Sequence, residues 1–292
     1  MERRRSSWGF LAPFLLLFVA FLVGPLCYAF YISLFTRSMG TLNFVGLRNY
    51  IIVFQYAPFW TAVVRVLYFG VVQTTFMLVL SLVLALLIDT PFARGKSFFR
   101  LIYFIPYAVP GVFSAIMWGF LLYPTFNPIL NAIRINPLSP GLLLYSLMNI
   151  ATWVWTGYNM TLYTASLSGV SAELYDAARI DGAGEWSVMY YIKLPLLRPT
   201  IAMTATLSMI GAIQLFNEPF ILSALTTVPI TFTPNMTVYT MAFQMINLPF
   251  AAALAVVLGL ITIAASGLVV GVRSIVRLYT EPGARKWQTA SS

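Results

Sequence analysis

Long apolar stretches separated by short polar segments dominate the chain. The stretches cover about residues 8–35, 60–88, 101–123, 142–167, 200–222 and 250–272. Each is long enough for the ~20 residues with which an α-helix crosses the hydrocarbon core of a bilayer. The pattern predicts an all-α integral membrane protein, a single domain over 1–292 with six transmembrane helices and a short polar tail at 273–292.

The third stretch is interrupted by Pro106 and by Pro110-Gly111. Proline breaks the hydrogen-bond ladder of a membrane helix and is tolerated where neighbours or a water-filled cavity satisfy the freed carbonyls. Broken helices of this kind recur in transporters, but an ordinary packing kink explains the prolines equally well. The sequence leaves both interpretations open.

Composition excludes several classes of function. The chain is 60% hydrophobic and only 9% charged, whereas soluble domains carry roughly 25% charged residues. The single Cys27 cannot form a disulfide within the chain, and the absence of histidine removes the commonest zinc ligand and the usual general base. The cations cluster at the ends of segments, which argues against a nucleic-acid surface. Neither catalysis nor nucleic-acid binding is expected.

The distribution of cations predicts the orientation in the membrane, because inside loops carry an excess of lysine and arginine. Six spans with both termini in the cytoplasm place four of the 17 cations outside, namely Arg37, Arg48, Arg65 and Arg134. The other thirteen fall inside: Arg3, Arg4, Arg5, Arg94, Lys96, Arg100, Arg179, Lys193, Arg198, Arg273, Arg277, Arg285 and Lys286. The first stretch is longer than the apolar region of a cleaved signal and lacks an A-x-A site, so an uncleaved span is expected.

Residues 169–199 form the one long inside loop and hold half of the carboxylates. Ser171 is expected to cap a short helix over 173–181, which Asp181-Gly182 would end. A second helix over 185–193 would precede Pro195 and Pro199, which would redirect the chain into the fifth span. Such a loop could lie on lipid headgroups, but its balance of charge is acidic, and a protein partner is favoured.

The loop carries a family resemblance. Asp176-Ala177-Ala178, Gly182 and Ile192-x-Leu194-Pro195 resemble the E-A-A-x3-G-x9-I-x-L-P loop of binding-protein-dependent ABC transporter permeases. The surrounding sequence is similar to the carbohydrate-uptake branch, the maltose and glycerol-phosphate type. Further similar segments occur in the same order, including Gly46-Leu47-x-Asn49-Tyr50 and Trp155-Thr156-Gly157. The chain departs from the pattern at Asp176 and Ser171, and it lacks the Gly-Gly-Pro usual after the fifth span.

The resemblance implies a type I ABC importer permease fold and a loop that acts as a coupling helix on a separate ATPase. It implies a heteromeric complex in the bacterial cytoplasmic membrane with a second permease, two ATPase subunits and an extracytoplasmic binding protein or lipoprotein. The chain itself would bind no cofactor, with ATP and Mg on the ATPase subunits. The resemblance assigns the coupling role to Glu173, Leu174, Asp176, Ala177, Ala178, Arg179, Gly182, Ile192, Leu194 and Pro195.

A carbohydrate needs hydroxyl partners and aromatic faces near the middle of the membrane. The fourth and fifth stretches supply the candidates for a substrate path: Asn149, Trp153, Tyr158, Asn159, Gln214, Phe216, Asn217 and Glu218. Amides also tie membrane helices together, and tryptophan and tyrosine also form interface belts. The alternatives to a carbohydrate permease are an ABC permease for another solute and a secondary transporter, although the latter usually shows an internal repeat. A membrane-embedded enzyme would need a nucleophile or metal constellation that this sequence lacks.

Overall fold

The computed structural model describes residues 11–38, 40–90 and 92–280. Apart from one hairpin, the described chain is helical. In chain order the elements are α1 (Leu11–Ser33), β1 (Phe35–Ser38), β2 (Thr41–Phe44), α2 (Arg48–Gln55), α3 (Ala57–Asp89), α4 (Lys96–Ala108), α5 (Gly111–Leu121), α6 (Pro128–Ala132), α7 (Leu143–Ser168), α8 (Ala172–Ile180), α9 (Glu185–Val188), α10 (Leu194–Ile213), α11 (Asn217–Leu222), α12 (Pro234–Tyr239) and α13 (Leu248–Thr280).

Helices cover all six apolar stretches of the sequence. Among the described residues, four helical segments are long and apolar enough to cross a membrane, or five if the bent pair α4 and α5 forms one span. The four are Leu11–Ser33, Ala57–Asp89, Glu185–Leu222 and Leu248–Leu268. Helix α7 has 26 residues, but its polar side chains keep it out of this set. The count of six spans therefore stays a prediction.

The last helix extends further than the sequence suggested. We predicted a polar tail from residue 273, yet α13 continues to Thr280. The arginine cluster Arg3–Arg5 and the rest of the tail, 281–292, lie outside the described residues.

The third apolar stretch is a broken helix, as the first of the two interpretations of its prolines required. α4 and α5 meet at an angle of 95°. Val109 has an extended backbone, because the ring of Pro110 disfavours the helical conformation of the residue before it. Pro106, by contrast, lies inside α4 and does not end it.

The prediction that Pro195 and Pro199 redirect the chain is wrong. The helix runs from Glu185 through a π-helical turn, Met189–Lys193, into α10 without interruption. Pro195 falls in the first turn of α10, directly after the π turn, where the hydrogen-bond register has already shifted. The missing N–H of this proline therefore costs the helix little.

Contacts divide the chain into two compact units, 1–63 with 230–261 and 64–229 with 262–292. In the first unit, β1 and β2 pair antiparallel. The side-chain amide of Asn49, in α2, donates to the carbonyl oxygens of Ser33 (2.7 Å) and Phe35 (2.6 Å). These bonds satisfy backbone groups where α1 passes into the hairpin, so Asn49 holds this corner together.

In the second unit, α3, α7 and α10 share one hydrophobic core. Buried side chains at its centre include Met77, Ile88, Tyr163 and Leu197. Polar bonds cross the same interface, because the hydroxyl of Ser81 donates to the carbonyl oxygen of Thr156 (3.0 Å). A polar bond between helices removes an otherwise unsatisfied donor from an apolar environment. The core thus holds three helices in a fixed register around the site described next.

Candidate functional site

A cavity of about 510 Å³ opens within the second unit. Its walls are the middle of α3, the end of α4, α7, the second half of α10 and the residues that join α10 to α11. Two helices are interrupted beside this cavity, one between α4 and α5 and one between α10 and α11. Irregular backbone is tolerated at membrane depth where it is buried in protein or lines a water-filled cavity.

An aromatic cluster forms one wall of the cavity. Tyr107, in the last turn of α4, stacks on Tyr158 of α7 with ring centroids 4.5 Å apart and an interplanar angle of 26°. The ring of Trp155 lies 5.3 Å from Tyr107 and 5.9 Å from Tyr158. All three line the cavity, and Trp155 is 43% exposed. The cluster therefore presents aromatic surface to the cavity rather than filling a core.

Amide groups form the neighbouring wall. Gln73 of α3 and Asn159 of α7 are both buried, and their amide nitrogens converge on the sulfur of Met77, at 3.5 Å and 3.8 Å. The Asn159 nitrogen also donates to the carbonyl oxygen of Trp155 (2.9 Å). These contacts fix the orientation of the two amides beside the aromatic wall.

The break after α10 contributes the acidic corner. α10 ends at Ile213, and the chain turns through Gln214 and Phe216 before α11 begins. Glu218, in the first turn of α11, is partly buried, and its carboxylate lies 3.8 Å from the position that a Cβ on Gly111 would take. The carboxylate therefore faces the break between α4 and α5.

Six of the eight predicted substrate-path residues line this cavity, namely Tyr158, Asn159, Gln214, Phe216, Asn217 and Glu218. The structure does not bring the other two to the site. Asn149 is exposed elsewhere on α7, and Trp153 packs edge-on against Trp118 at 5.9 Å. With 3.6 residues per turn, Trp153 points about 200° away from Trp155, so it faces a different neighbour.

Sequence reasoning left out several residues that line the cavity, among them Tyr107, Trp155 and Gln73. Tyr107 gave no signal, because it lies beside the prolines of the third stretch and only tertiary packing brings it to α7. Gln73 did give one. It is a single amide within the long apolar run of α3, and an uncharged polar residue in a membrane helix usually faces a neighbouring helix or a cavity.

The 169–199 loop contains the predicted short helix, α8. Ser171 occupies the position before it, with an extended backbone, but its side chain makes no capping hydrogen bond. That part of the prediction is wrong. The end of α8 is as expected, since Gly182 has φ of +81°. The N–H of Ala183 donates to the carbonyl oxygen of Ala178, and that of Gly182 to Arg179, the pairing of a Schellman motif.

The solvent-facing surface of the loop carries exposed apolar side chains. Ala177 is exposed, Leu174 is 44% exposed, and the more distal Ile180 and Trp186 are 86% and 80% exposed. None of the residues of α8 is buried. Contiguous exposed apolar side chains rimmed by charge mark surfaces for binding protein or membrane.

The polar side chains of the loop bind one another. The guanidinium of Arg179 lies 3.2 Å from a carboxylate oxygen of Glu185 and 3.7 Å from one of Asp176. The pair with Glu185 spans the turn at Gly182 and joins α8 to α9. Both pairs are exposed, so each stabilises the loop only slightly.

A third ion pair, largely withdrawn from solvent, lies beneath the loop, and the sequence did not reveal it. The ammonium nitrogen of Lys193 is 2.7 Å from a carboxylate oxygen of Asp89, the last residue of α3. Their side chains are 8% and 21% exposed. The same ammonium lies 5.6 Å from the centre of the Tyr175 ring, in α8. These residues line a small cavity of about 170 Å³ under the loop.

The Tyr175 hydroxyl is buried in this cavity and has no hydrogen-bond partner among the described residues. Burial raises the pKa of this phenol, and the nearby negative charge of Asp89 raises it further. Tyr175 is therefore held neutral, and its ring contributes through packing and through the adjacent cation.

Long apolar helices, two of them broken beside a cavity with aromatic and amide walls, are typical of membrane transport proteins. Residues 77–274 match the family described as binding-protein-dependent transport system inner membrane component. The match includes the 169–199 loop and the cavity residues from Met77 onward, and the chain belongs to this family.

Relatives and solved structures agree. The chain is 31% identical to the lactose transport system permease protein LacF of Rhizobium radiobacter, over 82% of this chain and 84% of that protein. It is 30% identical to the trehalose/maltose transport system permease protein MalF of Thermococcus litoralis, covering 76% and 79%. A chain of a bacterial ABC transporter that imports the acidic polysaccharide alginate superposes with a TM-score of 0.81 at 20% identity, covering 94% and 97%.

Proposed function

We propose that this chain is the non-catalytic membrane subunit of an ATP-driven importer that carries a carbohydrate delivered by an extracytoplasmic binding protein. Family membership supports the importer and the binding protein, since the family is described by its dependence on one. The relatives that transport lactose and trehalose or maltose support the carbohydrate.

The cavity wall is the observation that carries this proposal. Tyr107, Trp155 and Tyr158 offer aromatic faces, and Gln73 and Asn159 offer amides beside them. Small-molecule sites combine apolar and aromatic walls with a few placed polar groups that fix orientation. The faces of a sugar ring suit the aromatic wall, while its hydroxyls suit the amides and the carboxylate of Glu218.

The proposed orientation has six spans, with both termini and the loop in the cytoplasm. The excess of cations in the predicted inside segments supports it. The bent pair α4 and α5 would count as one span, and α7 would be the most polar one. Helix α7 supplies Trp155, Tyr158 and Asn159 to the cavity, so these three side chains would face the substrate path rather than lipid.

The inside loop is proposed to dock into a separate ATPase subunit. Leu174, Ala177 and Ala178 would pack in a cleft of that subunit, and Gly182 would hold the end of α8 in place. Glu173 lies exposed in the first turn and would form a polar contact with that subunit. Ile192, Leu194 and Pro195 would connect the loop to α10. Asp176 and Arg179 already bind within the loop, so their role would be to shape it.

One permease subunit is not expected to enclose the path alone. A second permease, two ATPase subunits and a binding protein would complete the complex, with ATP and Mg bound by the ATPase subunits. The described part of this chain contains no group of His, Cys, Asp and Glu residues arranged to hold a metal, and the proposed mechanism requires none.

The test is transport by the whole complex. The chain is co-expressed with the permease, ATPase and binding-protein genes that accompany it, and the complex is reconstituted into proteoliposomes. Uptake of radiolabelled lactose, maltose and trehalose is measured with ATP on the ATPase side. We expect ATP-dependent uptake of at least one of these sugars, and its loss when residues 176–182 are deleted.

The competing proposal is a secondary transporter. It predicts uptake that needs an ion gradient, proceeds without ATP and survives the deletion of 176–182. That result would overturn the importer. ATP-dependent uptake that is confined to solutes other than sugars would keep the importer and overturn the carbohydrate.

A further inference from the structure

The buried contact between Lys193 and Asp89 joins two parts of the chain that the proposed function treats separately. Asp89 ends α3, and Lys193 ends the π turn that leads into α10. The ring of Tyr175 places α8 against the same ammonium group. A single charged cluster therefore binds the loop helix, the start of α10 and the end of α3.

Helix α3 continues from this cluster to the cavity. Phe69, Gln73 and Met77 of α3 line the cavity wall. Met77 and Ile88 belong to the same hydrophobic core, and Ser81 bonds α3 to α7 between them. At 1.5 Å per residue, about 18 Å of unbroken helix separates Met77 from Asp89. The loop and the cavity are thus connected through one rigid element.

Removal of either charge of the Asp89–Lys193 ion pair is expected to destabilise the contact between the loop and α3. A negative charge at the C-terminus of a helix opposes the helix dipole, and the ammonium of Lys193 offsets it. Both side chains are largely withdrawn from solvent, so removal of one partner leaves the other uncompensated in a poorly hydrated place. Exposed pairs such as Arg179 with Glu185 carry no such penalty.

We propose that Asp89 and Lys193 are positioning residues that fix the 172–180 helix on the end of α3, so that displacement of this helix moves the cavity wall. The proposal rests on the coupling role proposed for the loop. Without the pair, α8 would still form, but its movements would no longer reach α3. Neither residue contacts the substrate or the ATPase in this arrangement.

The first test needs only the full chain, in lipid nanodiscs. Hydrogen–deuterium exchange of the 172–180 amides is measured for Asp89→Asn, Lys193→Met and the exchanged pair D89K/K193D. We expect roughly tenfold or faster exchange in each single variant and recovery to within about twofold in the exchanged pair. Asp181→Asn, which removes an exposed carboxylate of the same loop, is the matched control and should exchange like the wild type.

The exchange rates of the α7 amides distinguish a local contact between α8 and α3 from general support of the fold. Unchanged exchange in α7 together with faster exchange in α8 supports the proposal. Faster exchange throughout in the single variants, or none in α8, overturns it. Failure of the exchanged pair to recover would also overturn it, because the charge contact itself would then not be what holds the helix.

The second test measures coupling in the reconstituted complex. Each single variant should hydrolyse ATP at its basal rate while sugar uptake falls about tenfold or more, and the exchanged pair should restore uptake. If the single variants import sugar like the wild type, the positioning role of Asp89 and Lys193 is overturned and the importer proposal is kept. If the wild type imports no sugar but the exchange results are as expected, the importer proposal is overturned and the contact between α8 and α3 is kept.

Discussion

Gly157 of α7 packs directly on the main-chain carbonyl of Tyr103 in α4. A Cβ at Gly157 would lie 1.7 Å from that oxygen and 2.3 Å from its carbon. Backbone cannot give way as the end of a flexible side chain can. Small residues permit this close approach of membrane helices, and here it sets the distance from which Tyr107, one turn further along α4, reaches the rings of α7.

Gly157→Ala should therefore separate α4 from α7. We expect a loss of about 3 kcal/mol or more in stability, at or above the upper end of the range for overpacked sites. Thermal unfolding of the detergent-solubilised chain measures it. Gly259→Ala is the control, because a Cβ there meets no atom within 4 Å. Equal melting temperatures for the two variants would contradict the packing described for Gly157.

Gly182 should tolerate substitution according to backbone preference and not according to size. Its φ is +81°, and a Cβ there would meet nothing within 4 Å. Gly182→Asn should cost little, because asparagine visits the left-handed region readily, whereas Gly182→Val should cost about 1–2 kcal/mol locally. Uptake by the reconstituted complex should fall in the order glycine, asparagine, valine. An opposite order for the two variants would mean that contact with a partner decides at this position.

Tyr107 should contribute to sugar affinity through its ring alone. Tyr107→Phe keeps the stacking on Tyr158, while Tyr107→Ala removes it. Aromatic pairs contribute about 0.5–1.5 kcal/mol beyond their burial. The alanine variant frees the ring of Tyr158 as well as removing that of Tyr107, so it should raise the KM for uptake by up to about 10-fold if that energy is what holds the aromatic wall in place, and the phenylalanine variant should not. Asn149→Ala lies outside the cavity and should leave the KM unchanged. A larger effect at Asn149 than at Tyr107 would place the substrate path elsewhere.

Tyr175→Phe should not destabilise the chain and should raise its stability by about 1 kcal/mol, because the buried hydroxyl has no partner among the described residues. The effect should grow at alkaline pH. Since the pKa of Tyr175 is raised in the folded state, the unfolded chain loses this proton first, and stability falls as pH rises through about 10. Melting temperatures at pH 8 and 10.5 measure the difference.

A destabilised Tyr175→Phe chain would contradict that account and would show that the hydroxyl is bonded. Tyr190→Phe is a suitable control, because Tyr190 is 63% exposed in the π turn. Its substitution should leave the stability at pH 8 unchanged.

Local chemistry made parts of this structure predictable. The end of α8 follows from Asp181-Gly182, because glycine enters the left-handed region without a steric penalty. A break at Pro110 was one of two interpretations that the prolines left open, and the chain does break there, because proline disfavours a helical conformation of the residue before it. The course of the chain at Pro195 was not predictable by this rule, since a π turn that no local sequence rule identifies shifts the hydrogen-bond register just before it.

Residues of the cavity were predictable where polarity marks them and unpredictable where packing decides. Asn159, Gln214 and Glu218 stand out because they interrupt apolar helices. Composition does not reveal which face of α7 turns towards the cavity, and Asn149 and Trp153, predicted for the same path, do not line it. The pairing of Asp89 with Lys193 joins positions far apart in the chain, and only the packing of α3 on α10 brings them together.

α3 is held against the helix of α10 at two places, one beneath the loop and one near the cavity. At the inner end the ion pair joins them, and near the cavity Gly70 lies so close to α10 that a Cβ would be 3.2 Å from that of Ala212. Two contacts far apart on the same pair of helices resist sliding and splaying more than a single contact would. If the loop has the coupling role proposed above, α3 and α10 would move together, and the parts of the cavity wall that they carry would keep their separation.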